Sequence, residues 1–189
     1  MPNISIPAEH LANPIGYAIG NLAPDQTRPM YGFSTAMYKH SQLPLREFEA
    51  ARAAIALING CSLCQQFRSA DDVPRYLEGL GEDPLIGVHL NGPAPDEEFY
   101  SNIGNWREAG GVYSERERLA IEYAERFSLE PNALGHDVNF WDKLKSGFSE
   151  SDLYELTLAC ACLVATGRFV HVLGFDEGAV CDISAEAAE

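Results

Sequence analysis

Two cysteines separated by two residues, Cys61 and Cys64, are the residues of this sequence whose types and spacing could do chemistry. They follow Asn59-Gly60, a pair that commonly ends a helix because both residues tolerate the left-handed backbone conformation. Cys61 therefore opens the next predicted helix, where free backbone N–H groups and the helix dipole stabilise a thiolate. Two thiols at positions i and i+3 also lie close enough to form a disulfide. The spacing predicts thiol–disulfide chemistry.

Two other interpretations of the pair stay open at this point. A structural zinc site needs four ligands, and no second Cys-x-x-Cys or His-x3-His pattern supplies them, so neither a metal nor another cofactor is expected. The pair could also be inert, since free cysteines are often buried as small apolar residues. That role is expected for Cys160 and Cys162, which lie in an apolar helix, while Cys181 falls in an acidic tail.

A glutamate precedes the cysteine pair by twelve residues and is the first candidate partner. Glu49 falls on the Ala- and Ile-rich side of a helix predicted over residues 46–59, whereas Arg46, Glu47 and Arg52 lie elsewhere on this helix, which is expected to be mostly buried with one end wet. A carboxylate in that position either pairs structurally or works as a general acid and base. Its spacing to Cys61 favours the second role, because such carboxylates cluster at functional sites.

Two further residues could contribute to a site. Arg68, four residues after Cys64, could stabilise a thiolate, hold a substrate carboxylate in a bidentate pair, pair with Glu49, or simply lie on the surface. His171 lies near the end of the last predicted helix in an apolar setting. A core or interface histidine is the first interpretation there, and a substrate contact is the second.

Composition narrows the function classes. The chain has 189 residues, of which 46% are hydrophobic, enough for one globular domain with a sizeable core. Its net charge of −15 would repel nucleic acid and anionic membrane surfaces. No secretory signal is visible, and the longest uncharged runs are too short to span a bilayer. These features predict a cytoplasmic protein, and its five cysteines do not form a secreted disulfide framework.

The elements that must position these residues are predicted to be helices only. Capping patterns at 69–72, 114–117 and 149–152 mark helix starts, and no alternating strand pattern occurs. The most apolar helices, 46–59 and 153–173, are expected to pack in a subunit interface. Five prolines in residues 1–29 predict an extended arm over the domain or a neighbouring subunit, followed by a helical domain over 30–175 and an acidic tail over 176–189.

These residues together resemble a known superfamily. A Leu-Pro turn at 43–44, then Glu49, then Cys61-x-x-Cys64, and the closing stretch FSESDLYELTLACACLVATGRFVHVLGF are similar to the carboxymuconolactone decarboxylase and alkylhydroperoxidase D (AhpD) superfamily over about residues 30–175. The resemblance implies an all-α AhpD-like fold in a homo-oligomer, a dimer, trimer or hexamer. In its redox branch it implies a thiol-dependent peroxidase whose more exposed second cysteine, here Cys64, attacks and whose first, Cys61, resolves.

Two positions depart from the redox branch, and at the first of them Leu63 stands where the family has a histidine between the two cysteines. The family pattern has a histidine four residues after the second cysteine, and Arg68 stands there. Arginine does not shuttle protons near neutral pH, so the relay from Glu49 through a histidine to the cysteines is incomplete in this chain.

Three functions follow as hypotheses. The first is a hydroperoxide-reducing enzyme that uses Cys61 and Cys64, with Glu49 as proton carrier, Arg68 as electrostatic partner and a separate thiol or dithiol as reductant. The second is a non-redox enzyme resembling the decarboxylases, in which Glu49, Arg68 and His171 bind and protonate a small acidic ring or lactone. The third is a non-catalytic oligomeric scaffold.

Overall fold

A computed structural model describes residues 1–177, so Cys181 and nearly all of the predicted acidic tail lie outside the described residues. Within that range the chain forms ten α-helices and no strand, which confirms the all-α prediction. The helices are α1 (Pro14–Asn21), α2 (Pro24–His40), α3 (Leu45–Asn59), α4 (Ser62–Gln66), α5 (Ser69–Gly79), α6 (Glu97–Ser101), α7 (Glu115–Leu129), α8 (Pro131–His136), α9 (Val138–Gly147) and α10 (Glu150–Val172).

Helix α3 is the centre of the fold and packs against both α7 and α10. Its many alanines allow these two helices to approach closely. Helix α3 is mostly buried, as predicted, and the burial includes two charged residues, Glu47 and Arg52. A buried charge needs a partner, and Glu47 accepts hydrogen bonds of 2.6 and 2.7 Å from Arg116 of α7.

Two of the three predicted capping patterns form as expected. Ser114 and Glu117 form a reciprocal capping box at the start of α7, and Ser149 and Asp152 form another at α10. The third pattern marks the start of α5 at Ser69 as predicted, but Arg68 occupies the capping position and no side chain caps this helix. The Ser69 hydroxyl instead donates to Glu49 of α3. The Ser69 hydroxyl, which the local sequence predicts as a helix cap, therefore forms a long-range hydrogen bond to Glu49.

The prolines predict an extended arm over residues 1–29, but from residue 14 onward this segment forms helices. Pro14 and Pro24 each stand in the first turn of a helix, where proline is favoured because its missing N–H has no partner to lose. The segment is tied to the end of α10, since the backbone N–H and the side-chain amide of Asn3 donate to carbonyl oxygens of Leu173 and Val172, each at 2.8 Å. It lies over the same domain that carries the cysteines.

By length and composition alone, helix α10 is long and apolar enough to cross a membrane. The uncharged run within it is too short to do so. Only 39% of its most apolar window is buried in the structure. It packs against α3, α2 and α7, as a core helix does. A core helix can be as long and as apolar as a membrane-spanning helix. The subunit interface expected along this helix stays a prediction.

Candidate redox site

The two cysteines are joined in the structure. Cys61 and Cys64 form a disulfide, with their Cα atoms 5.2 Å apart. Cys61 stands at the N-cap of the short helix α4, where its sulfur accepts a hydrogen bond of 3.2 Å from the Cys64 amide. Cys61 is fully buried and Cys64 is partly exposed. The two sulfurs thus differ in access, as an attacking and a resolving thiol must.

A cavity of about 100 Å³ lies beside Cys64. Its walls come from α1, α2, α3, α4 and α10, and their surface is mostly apolar. The apolar side chains include those of Ile15, Ile55, Leu63, Phe67, Leu163 and Val170. Cys61 is not part of this wall. A small apolar molecule in the cavity would therefore meet Cys64 and not Cys61.

Glu49 is completely buried and forms an ion pair with Arg52, one turn later in α3. The guanidinium of Arg52 donates through Nε to Oε1 at 2.5 Å and through Nη2 to Oε2 at 3.0 Å. The Ser69 and Tyr100 hydroxyls each donate to one of these oxygens at 2.5 Å. Glu49 therefore accepts four hydrogen bonds, which suits an ionised carboxylate, an acceptor-only group.

Arg52 connects this ion pair to the segment that carries Cys64. Its Nη1 donates to the Cys64 carbonyl oxygen at 2.6 Å, and its Nη2 donates to the Phe67 carbonyl oxygen at 2.8 Å. These two acceptors lie at the carboxyl end of α4, where helix carbonyls lack intrahelical partners. Arg52 thus fixes the position of α4, and with it the position of Cys64 at the cavity.

Two tyrosines next to the ion pair are held neutral. Burial raises the pKa of Tyr100, and the charge of Glu49 raises it further. Burial also raises the pKa of Tyr38, which borders the cavity, against the opposing effect of Arg52. Both hydroxyls therefore keep their protons at neutral pH, and that of Tyr100 donates to Glu49.

Arg68 does not pair with Glu49, so that hypothesis is wrong; Arg52 has this position. Arg68 pairs with Glu97 at 3.0 and 3.2 Å, and its guanidinium lies 3.9 Å from the centre of the Tyr100 ring. With Tyr100 it lines a separate surface groove of about 310 Å³. Its link to the buried network therefore runs through Tyr100, whose hydroxyl donates to Glu49.

His171 lies at the opposite end of α4, and its side chain is half exposed, so it is not a core histidine; its place in a subunit interface stays a prediction. Its Nδ1 lies 3.1 Å from Oδ2 of Asp176, a residue with a buried side chain. The same oxygen accepts a hydrogen bond of 2.9 Å from the Ser62 amide, and the Ser62 hydroxyl donates to the Asp176 carbonyl at 2.8 Å. A histidine–aspartate pair thus holds the first residue of α4.

We expect Gly60→Ala to destabilise the protein more than Gly81→Ala. Both glycines have a left-handed φ, 72° and 73°, so both alanines lose about 1–2 kcal/mol from backbone strain alone. A Cβ at Gly60 would also lie 3.1 Å from Nε2 of His171, whereas one at Gly81 meets nothing within 4 Å. Denaturant unfolding of the two variants measures the difference. Equal losses would show that the His171 ring moves freely away.

Sequence reasoning missed four residues of this site. Arg52 has a visible signal, since a residue three positions after Glu49 shares its helix face. Ser69, Tyr100 and Asp176 have none, because they come from 20 to 127 residues away in sequence from Glu49. Only the tertiary structure brings Ser69 and Tyr100 to Glu49 of α3, and Asp176 to Ser62 of α4.

The fold and the site define an all-α domain with a buried ion pair behind a disulfide. No family model matches the sequence, and no curated protein matches it. A solved structure does: that of a protein of unknown function from Agrobacterium tumefaciens, described as a candidate antioxidant defence protein AhpD. The match covers 85% of this chain and 94% of that one, with a TM-score of 0.60 and 19% identity. At this identity the likeness establishes the fold, which is AhpD-like.

Proposed function

We propose that this protein is a thiol-dependent oxidoreductase that reduces organic hydroperoxides with the Cys61–Cys64 pair. The observation that carries the proposal is the disulfide at an apolar cavity, with Cys64 on the cavity wall and Cys61 buried behind it. The AhpD-like fold and the description of the Agrobacterium protein support it. The apolar wall suits the carbon side of an organic hydroperoxide.

The cycle begins with the Cys64 thiolate in the reduced protein. The thiolate attacks the terminal oxygen of the hydroperoxide, the O–O bond breaks, and the leaving alkoxide takes a proton to become an alcohol. Cys64 then carries a sulfenic acid. The Cys61 sulfur attacks it, the S–S bond forms, and the S–O bond breaks with release of water. A thiol or dithiol reductant supplies the two electrons and two protons that restore the pair.

Glu49 and Arg52 support this cycle by position. Arg52 holds the Cys64 and Phe67 carbonyls, and Glu49 with Ser69 and Tyr100 holds Arg52 in place. The role of Glu49 as a proton carrier stays a prediction, since its contacts among residues 1–177 are to Arg52, Ser69 and Tyr100. Of these, the arginine cannot carry a proton and the tyrosine can.

Hydroperoxide should oxidise two of the four described cysteines and leave the others untouched. Burial raises the pKa of the Cys162 thiol to about 11 and raises that of Cys160 as well, so neither forms a thiolate at neutral pH. The reduced protein is treated with one equivalent of tert-butyl hydroperoxide, alkylated and mapped by mass spectrometry. We expect a 61–64 disulfide and free thiols at 160 and 162. Persistence of both thiols at 61 and 64 would disprove the proposal.

A second function is favoured by one observation, the separate groove lined by Arg68 and Tyr100. An arginine beside a tyrosine hydroxyl could bind and protonate a small acidic ring or lactone there, and Glu49 would hold the tyrosine. Arg68 already forms an ion pair with Glu97, but the Glu97 side chain is 81% exposed. Such an exposed pair is weak enough to open. Turnover of such a substrate by protein whose two cysteines are alkylated would support this function.

A further inference from the structure

Two features at the start of α4 act on Cys61 in opposite directions. The Cys64 amide donates to the Cys61 sulfur, and this bond by itself would favour a thiolate at Cys61. The carboxylate of Asp176 lies at the same helix start, hydrogen-bonded to the next residue, Ser62. A buried negative charge beside a thiol disfavours its ionised form. Which feature dominates decides which cysteine attacks.

The setting of Asp176 favours the carboxylate. Its side chain is 3% exposed, so water screens its charge poorly. Burial would raise the pKa of Asp176, but the hydrogen bonds from His171 and from the Ser62 amide hold it below its usual range. Asp176 is therefore ionised at neutral pH. Its Oδ2 accepts a hydrogen bond from the backbone N–H of Ser62, the residue directly after Cys61.

One oxygen of this carboxylate has no partner. Oδ2 accepts from Ser62 and His171, whereas the buried Oδ1 accepts no hydrogen bond within the described part of the chain. Leaving a buried acceptor unpaired costs about 1–3 kcal/mol, so such an atom is a marker of function or of a second state. In the oxidised protein the sulfur of Cys61, the residue before Ser62, has no proton to donate. A reduced Cys61 has one.

Apolar side chains pack against Cys61 at this end of α4. The side chains packed in the same cluster from α1, α10 and the segment after α10 are apolar. They are Ile15, Ala18, Ile19, Val170 and Phe175. Tyr31 and Tyr76 border the cluster from α2 and α5. Among residues 1–177, Asp176 is hydrogen-bonded to Ser62 at this end of α4, and His171 lies behind it.

We propose that Asp176 assigns the two cysteines their roles by keeping Cys61 a neutral thiol in the reduced protein, which leaves Cys64 as the attacking thiolate. This inference rests on the proposed function of the pair as a redox couple. In the reduced protein the Cys61 S–H donates to Oδ1 of Asp176. When Cys64 has become a sulfenic acid, the Cys61 sulfur attacks it, the S–S bond forms and the S–O bond breaks. Asp176 accepts the Cys61 proton and returns it to the leaving hydroxide, which departs as water.

The test is a pH titration of Cys61 in a protein that lacks Cys64. The ultraviolet absorbance of the thiolate is followed in the Cys64→Ser variant, with the Cys61→Ser/Cys64→Ser double variant as the blank for tyrosines and the other cysteines. Asp176→Asn is then added, because an amide keeps the shape and an acceptor oxygen for Ser62 but removes the charge. We expect the ionisation midpoint of Cys61 to fall by about one pH unit.

The matched control is Glu177→Gln, which removes one negative charge at the neighbouring position. Glu177 is exposed and pairs with the N-terminal ammonium of Met1, so the midpoint should stay where it is in the Cys64→Ser parent. An unchanged or higher midpoint in the Asp176→Asn variant overturns the inference. So does an equal fall with Glu177→Gln, which would reflect net charge alone.

A second variant covers the case in which Asp176→Asn does not fold. His171→Gln leaves the carboxylate in place and removes its imidazole partner, so the Cys61 midpoint should stay or rise. A fall would contradict the assignment. The titration uses no hydroperoxide, so it separates the two proposals: failure of the reduced wild-type protein to form the disulfide with hydroperoxide would sink the proposed function and leave the Asp176 effect measurable.

Discussion

Cys64→Ser should abolish hydroperoxide-dependent turnover, with a loss on the order of 10³-fold or more. The reason is that a serine hydroxyl is not ionised at neutral pH and cannot be oxidised to a sulfenic acid. The residue that replaces Cys64 still borders the same cavity, and the substitution is nearly isosteric, so the cavity keeps its shape. The measurement is the rate of hydroperoxide consumption with a dithiol reductant in excess.

Two matched variants test whether this loss of turnover comes from removal of the attacking thiolate. Cys61→Ser should stop the cycle one step later, so that a sulfenic acid accumulates on Cys64 and reacts with dimedone. Cys160→Ala should keep the wild-type rate, because that thiol is fully buried in α10 and away from the cavity wall. Turnover by Cys64→Ser close to the wild-type rate would mean that the disulfide is structural and that the reaction uses other groups.

Arg52→Ala is expected to lower the free energy of unfolding by about 3–5 kcal/mol. The alanine leaves the Glu49 carboxylate, which is completely buried, without its ion-pair partner. It also removes the donors to the Cys64 and Phe67 carbonyl oxygens. An uncompensated buried charge is among the few single changes that cost this much. Denaturant unfolding of the oxidised protein, followed by circular dichroism, gives the value.

Arg75→Ala is the matched control, because Arg75 forms an ion pair with a carboxylate at the same spacing. The Arg75 side chain is 72% exposed, and exposed pairs contribute at most about 1 kcal/mol. Replacing both buried partners, as in Glu49→Gln/Arg52→Met, should recover part of the loss, because no buried charge then remains unpaired. A loss near that of Arg75→Ala would show that water reaches Glu49 in solution.

Local patterns in the sequence determined the secondary structure and the reactive pair. The Asn59-Gly60 stop, the capping boxes at Ser114 and Ser149, and the apolar periodicity of α3 and α10 each depend on neighbours within four residues. The spacing of Cys61 and Cys64 belongs to the same class, since a disulfide between residues i and i+3 needs only one turn of chain. Proline was misjudged in residues 1–29, because at a first helical position it starts a helix.

Only the tertiary structure decided the partners of these residues. Arg52 pairs with Glu49 because α4, α5 and α6 meet α3 at these two side chains, and a buried charge must be matched inside the protein. Arg68 lies outside that packing and pairs with Glu97. The Ser69 hydroxyl donates to the buried Glu49 carboxylate and does not cap α5. Asp176 reaches Ser62 across 114 residues of sequence. Burial and long-range contacts determine these pairings, and the spacing of neighbouring residues in the sequence predicts neither of them.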